Sequence, residues 1–243
     1  LCIGGLMMGQ TTDDLDTPIV KTSSGAVILP RSHFVIERKL KPDPIKSRIG
    51  KSACDQCRYC TELCPRYLLG YAVEPHQVMR SLAFTATDKS YWNQMAVNCC
   101  ACGLCTLYAC PESLFPKEAC DASKTEMQAA NIRWTGAAPT RPHPLHDGRR
   151  VPIKMLMKKF ALEKYDVPAP WHDIAVTPRQ LILPLKQAAG VPNKPIVKKG
   201  DEITVGQPLG EISDKDLGAI IHAPIAGIVA EVTDDLIILT RQA

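Results

Sequence analysis

The sequence predicts an α+β chain made of several modules, a helical, cysteine-rich domain followed by a small all-β domain. Three observations predict it. Ten of the eleven cysteines lie within residues 46–138, in two runs, "CDQCRYCTELCP" at 54–65 and "CCACGLCTLYACP" at 99–111. The segments beside those runs carry apolar residues at helical spacing. Beyond residue 170 the pattern changes to short β-branched runs cut by Gly, Pro and Asp.

Taken in order, residues 1–45 contain "CIGGLMMGQTTDDLDTPIVKTSSGAVILP", Gly-punctuated and β-branched, which reads as short strands and turns. The chain opens on Leu1 and already reads as mid-domain sequence, so this stretch is expected to be the β-rich remnant of an upstream region. Within 46–138, "EPHQVMRSLAF" spaces Val78, Met79, Leu82 and Ala83 as on a helix. A second helix is expected in "PKEACDASKTEMQAANIRW", with Pro116 at its start, where a missing N–H costs nothing. Residues 139–170 form a Pro-rich basic linker. In it Ile153, Leu156, Met157 and Phe160 follow an i, i+3, i+4, i+7 pattern, which predicts a short amphipathic helix. Its charges Arg149, Arg150, Lys154, Lys158 and Lys159 suit either a solvated face or an acidic partner. Residues 171–243, with "KPIVKKGDEITVGQPLGEI" and "AIIHAPIAGIVAEV", have the close turn spacing of a small β-barrel or sandwich. His76, at a helix start, and His222, in an apolar strand, are expected to be core histidines; neither has metal-ligand spacing to the cysteines.

Composition excludes several classes. The formal net charge of +4 gives no reason to expect a nucleic-acid partner. No apolar stretch reaches membrane-spanning length, so no membrane insertion is expected, and the first residues lack a signal-peptide pattern. Eleven cysteines without an export signal point to a reducing, cytoplasmic setting in which thiols bind metal rather than each other.

The spacing then narrows the metal. The first run is Cys54-x2-Cys57-x2-Cys60-x3-Cys64-Pro65 and the second Cys99-x2-Cys102-x2-Cys105-x4-Cys110-Pro111. Two-residue gaps let three successive thiolates reach three corners of a cuboidal cluster, while the fourth turns to the other cluster. This assigns Cys54, Cys57, Cys60 and Cys110 to one [4Fe–4S] cluster and Cys64, Cys99, Cys102 and Cys105 to a second. Structural zinc takes two C-x2-C pairs, which two triplets followed by lone Cys-Pro do not supply. The second run departs from the usual spacing by one residue before Cys110. Cys2, Cys100 and Cys120 are left as small buried hydrophobes. The fold expected is therefore a helical ferredoxin-type dicluster domain followed by a barrel-sandwich domain.

With "GGLMMG", "DTPIVKTSSGAVIL", the paired cysteine runs and "RRVPIKMLMKKFALEKYDVPAP", the chain resembles the RnfC family of Rnf electron-transport proteins. It resembles more closely the flavin and iron–sulfur cobalamin reductases of propanediol-utilisation microcompartments, because the barrel-sandwich segment follows the cysteine runs. The resemblance implies a longer enzyme. An upstream flavin/SLBB-type region would carry FMN and take electrons from NADH, and the clusters would pass them to a corrinoid for coenzyme B12 regeneration. Implied partners are a corrinoid adenosyltransferase with its cobalamin and a microcompartment shell protein. The implied location is inside a bacterial microcompartment. No G-x-G-x-x-G loop or D-x-H-x-x-G corrinoid pattern is present. "SSGAV" at 23–27 resembles the covalent-flavin motif of other Rnf proteins, but Val27 lacks the hydroxyl that bond needs. Gly4, Gly5 and Gly9 read as turn glycines or as a close approach to a flavin phosphate. The 171–243 segment resembles biotinyl- and lipoyl-type domains, with Lys215 in "SDKDLG" near the modified position or else part of an unmodified barrel. Two further readings remain: an Rnf-type relay, and a structural tether whose fold the clusters stabilise.

Overall fold

The computed structural model describes residues 1–83, 93–174, 176 and 178–241. They form two compact units, one of residues 1–4, 12–27 and 169–243, the other of residues 5–11 and 28–168.

The second unit holds the two cysteine runs. Its helices are α1 (Phe34–Leu40), α2 (Asp43–Ala53), α3 (Tyr59–Glu62), α4 (Pro65–Leu68), α5 (Pro75–Ser81), α6 (Pro116–Ala129) and α7 (Ile153–Lys159), with a 3₁₀ turn at Gln94–Asn98 and a π-helical turn at Cys105–Ala109. Proline opens α4, α5 and α6 at the position that has no intrahelical N–H to lose. Val78 and Met79 of α5, Ala96 of the 3₁₀ turn, and Ala119 and Cys120 of α6 form one buried cluster with Leu114. The helical spacing read at 74–84 is thus realised as α5; its last residue, Phe84, lies outside the described residues.

A smaller cluster joins Val35, Leu107 and Phe160, with Leu156 against it. It anchors α7 by Leu156 and Phe160. Ile153, also expected on the apolar face, is 69% exposed instead, because the helix begins there. Residues 34–40, read from sequence as part of a strand-and-turn segment, are helical. The His33 imidazole caps α1 by accepting the Val35 N–H, and burial of Val35 and Ile36 outweighs the strand preference of β-branched side chains.

The first unit is β-rich. Strands β1 (Cys2–Ile3) and β3 (Ala26–Val27) pair antiparallel, Cys2 opposite Val27; β2 (Gln10–Thr11) falls in the cysteine-bearing unit. Strands β4 (Gln180–Pro184), β6 (Glu202–Ile203), β8 (Gly227–Val232) and β9 (Leu236–Thr240) make an antiparallel sheet in the order β4-β9-β8-β6. Strands β5 (Lys194–Pro195) and β7 (Gly210–Glu211) pair separately. Alternation along β9 buries Ile237 and Leu239, which join Leu185, Leu209, Ile221 and Val229 in an all-aliphatic core. Among the described residues the strands make two sheets around that core, not a closed barrel. His222 is exposed rather than in the core, because its neighbours Ile221 and Ala223 take the two inward positions. Lys215 stands exposed in a turn closed by Asp216 N–H to Ser213 O at 2.9 Å.

Candidate metal centre

Both cysteine runs use the same backbone device. In the first, Gln56 (φ 58°) and Arg58 (φ 67°) are left-handed; in the second, Ala101 (φ 55°) and Gly103 (φ 80°) occupy the equivalent places. Each pair reverses the chain on either side of the middle cysteine. Left-handed conformation costs a side-chain-bearing residue about 1–2 kcal/mol. Three such residues in two short loops mark a function that overrides local preference.

The runs differ in how they reach the fourth cysteine. The first closes through α3, with Leu63 N–H bonded to Tyr59 O at 3.0 Å. The second has one more residue, and the π-helical turn takes it up: Cys110 N–H bonds Cys105 O at 3.1 Å, five residues back. The unusual x4 spacing is thereby converted into a wider turn.

The electrostatics of the thiols show which ones are neighbours. Burial pushes the Cys60 thiol up to about 12, and Cys110, Cys54 and Cys57 add to the rise. Burial raises Cys110 too, with Cys57 and Cys54 contributing. These same four cysteines line one small cavity together with His76 and Met79. In the other set, burial lifts Cys105 well above the ordinary thiol range, reinforced by Cys60, Cys64, Cys99 and Cys102. Cys64 is raised by burial, with Cys99 and Cys100 adding to it. Cys102 reaches about 11 through burial, then Cys100 and Cys64. The fourth cysteine of each run therefore lies with the first three of the other. All eleven cysteines are free of disulfides.

Hydrogen bonds reach the sulfurs. The Gln56 amide donates to Cys54 Sγ at 3.1 Å, Ala101 N–H to Cys99 Sγ at 3.3 Å, and Leu114 N–H to Cys110 Sγ at 3.3 Å. The S–H of Cys120 draws Cys99 down to about 6, against the effect of burial. Cys120, expected only as a buried hydrophobe, is thus bonded to a candidate ligand. Cys2 is buried in the other unit, and Cys100 is half-buried beside Cys102.

Other side chains hold the loops, and spacing in the sequence does not disclose them. The half-buried Arg38 guanidinium donates to Ser113 O at 2.7 Å, Thr106 O at 2.9 Å and Leu114 O at 3.0 Å, and lies 4.8 Å over the Phe115 ring. Thr106 Oγ1 donates to Glu118 at 2.7 Å and accepts from Lys117 N–H at 2.9 Å, tying the π turn to α6. Lys124, one turn after Cys120, donates to Cys99 O at 2.8 Å. His76 meets the buried Thr61 hydroxyl at 2.8 Å, so its partner is a side chain and not the backbone group expected. Arg149 of the linker pairs with Glu62 of α3 at 2.9 Å.

A zinc ion needs its thiolates about 2.3 Å from one point. Among the described residues, no three or more His, Cys, Asp or Glu side chains are gathered that tightly. The donor set, eight cysteines in two groups with N–H bonds to sulfur, fits a pair of cuboidal clusters, whose ligands sit on different irons. Among the described residues, no helix is long and apolar enough to cross a membrane.

Comparison with known proteins places the chain. Residues 53–115 match the 4Fe-4S dicluster domain, and residues 171–243 the RnfC barrel sandwich hybrid domain. The chain is 34% identical to the cobalamin reductase PduS of Citrobacter freundii, over 98% of its own length and 52% of that protein's. It is 33% identical to the PduS of Salmonella typhimurium over the same shares. A shorter match, 46% over 52 residues, is to the C-type subunit of the ion-translocating oxidoreductase complex of Methanosarcina acetivorans, covering 21% of this chain and 11% of that one. The chain spans about half the length of the cobalamin reductases it matches. It is a relative of the cobalamin reductases along nearly its whole length, built from a dicluster domain and a barrel-sandwich domain of the RnfC type.

Proposed function

We propose that this chain is the electron-transferring part of a cobalamin reductase, an oxidoreductase, and that its eight run cysteines hold two [4Fe–4S] clusters crosswise. Bound there, such clusters supply transfer in single-electron steps. The observation that carries this reading is the crosswise neighbourhood: Cys60 with Cys54, Cys57 and Cys110, and Cys105 with Cys64, Cys99 and Cys102. The chain's own contribution is positional. The left-handed loops direct three thiols together, the π turn delivers Cys110 to the other set, and Cys60 next to Cys105 brings the two sets into contact.

In this reading the FMN and NADH steps belong to the additional length that the relatives have. The electrons pass to a corrinoid presented by an adenosyltransferase, in a microcompartment whose shell protein is a further partner. An Rnf-type relay is the second reading, supported by the local 46% identity. Coverage of 98% against 21% favours the first.

The test is an anaerobic mixing experiment. The cluster-loaded chain is reduced and mixed with cob(II)alamin and the adenosyltransferase while the visible spectrum is followed. Return of the broad cluster absorbance as the corrinoid is reduced is the expected outcome. Clusters that stay reduced beside unreacted corrinoid would refute the cobalamin reading and favour a ferredoxin- or flavodoxin-type acceptor.

A further inference from the structure

We propose that Gln56 sets the reduction potential of the cluster held by Cys54, Cys57, Cys60 and Cys110, through the hydrogen bond its side-chain amide donates to Cys54 Sγ. The inference rests on the two-cluster reading above. Its basis is the comparison of two loops with one backbone. Gln56 and Ala101 occupy the same place, two residues after the first cysteine of each run, with φ 58° and 55°. In the second loop the residue supplies only its backbone N–H, at 3.3 Å from Cys99 Sγ. In the first loop the side chain reaches the sulfur of the equivalent cysteine at 3.1 Å. Cys99 has a side-chain donor as well, but it is the S–H of Cys120, and thiols donate weakly.

One-electron reduction adds negative charge that the ligating sulfurs share. An N–H aimed at one of those sulfurs stabilises the reduced form more than the oxidised form, so the potential rises. Charge does not override this at the first loop. The charged residues lining that cavity, Asp55, Glu112 and Arg58, are of both signs. Gln56 is therefore placed to act where simple charge does not decide. A left-handed Gln is otherwise unfavourable at this position, since Gly would adopt the same backbone without strain.

The experiment is a redox titration of the full cluster-loaded chain, followed by electron paramagnetic resonance. The variants are Gln56→Gly, which keeps the loop conformation, and Gln56→Met, which keeps the length without a donor. Cys57→Ser identifies the signal of the cluster that Cys57 ligates. The expected result is a lower midpoint potential for that cluster in both Gln56 variants, at unchanged iron content, with the other cluster unmoved. An unchanged potential, or an equal shift in both clusters, overturns the role given to Gln56. Absence of two cluster signals in the parent chain would instead refute the two-cluster reading itself, so the two failures are distinct.

Discussion

Arg38 shows how much of a metal loop can depend on a side chain far from it in sequence. Its three carbonyl acceptors belong to residues 106, 113 and 114, which bracket Cys110, and they lie 68 to 76 positions away. Burial lowers the affinity of this guanidinium for its proton, with Glu118 opposing the effect, yet arginine stays charged and keeps all its donors. Replacing Arg38 by Met preserves the stem over Phe115 and removes every donor. Three carbonyls then lose a charged partner, at a cost of about 1–3 kcal/mol or more. The expected outcome is a lower denaturation midpoint and faster iron loss, measured by denaturant titration and iron release. A variant as stable as the parent would show that water replaces the guanidinium without cost. The eight candidate ligands were legible in the sequence because two-residue gaps are a local constraint. Arg38, Gln56, Thr106 and Cys120 were not, because a lone polar residue or cysteine carries no spacing that reveals its partner.

At the scale of elements, proline placement and helical spacing disclosed α5, α6 and α7, whereas α1 stayed hidden behind its β-branched Val35 and Ile36. The departure of the second run from the usual spacing was visible in the sequence. Its resolution as a π turn was not, because that depends on bonds to α6 through Thr106 and on Arg38. In the β unit the short strands were legible from their turn residues, but closure was not. Whether two-residue strands join into a barrel depends on pairing across the sheet edge, which no local pattern encodes. The β8–β9 hairpin illustrates the same point. Gly227 sits where a Cβ would run into the Thr240 carbonyl, a contact set by strand register. Gly227→Ala is expected to cost about 1–3 kcal/mol through overpacking. Thermal unfolding should show a lower midpoint for the β unit at unchanged iron content. An unshifted midpoint would mean that the hairpin relaxes around the methyl group.

Across the whole molecule the two units are stabilised by different chemistry. The β unit has an aliphatic core of Leu, Ile, Val and Ala, with no cysteine in it. In the other unit Cys120 is itself part of the core, and Cys54, Cys99 and Cys110 pack against Val78, Met79 and Leu114. Thiols that should face a cluster thus fill space that apolar side chains fill elsewhere. Metal binding to such a site contributes folding free energy directly. Without metal, the unit retains the left-handed strain at Gln56, Arg58 and Ala101 and loses what offsets it. Removal of the clusters with an oxidant and a chelator should therefore lower or abolish the melting transition of the cysteine-bearing unit. The transition of the β unit should survive near its original temperature. Scanning calorimetry before and after stripping, with circular dichroism to separate helix from strand signal, measures this. If helix and strand signals melt together after stripping, the units are not independent in stability. If neither transition moves, the clusters are passengers on a fold that stands without them, and the tether reading loses its physical basis.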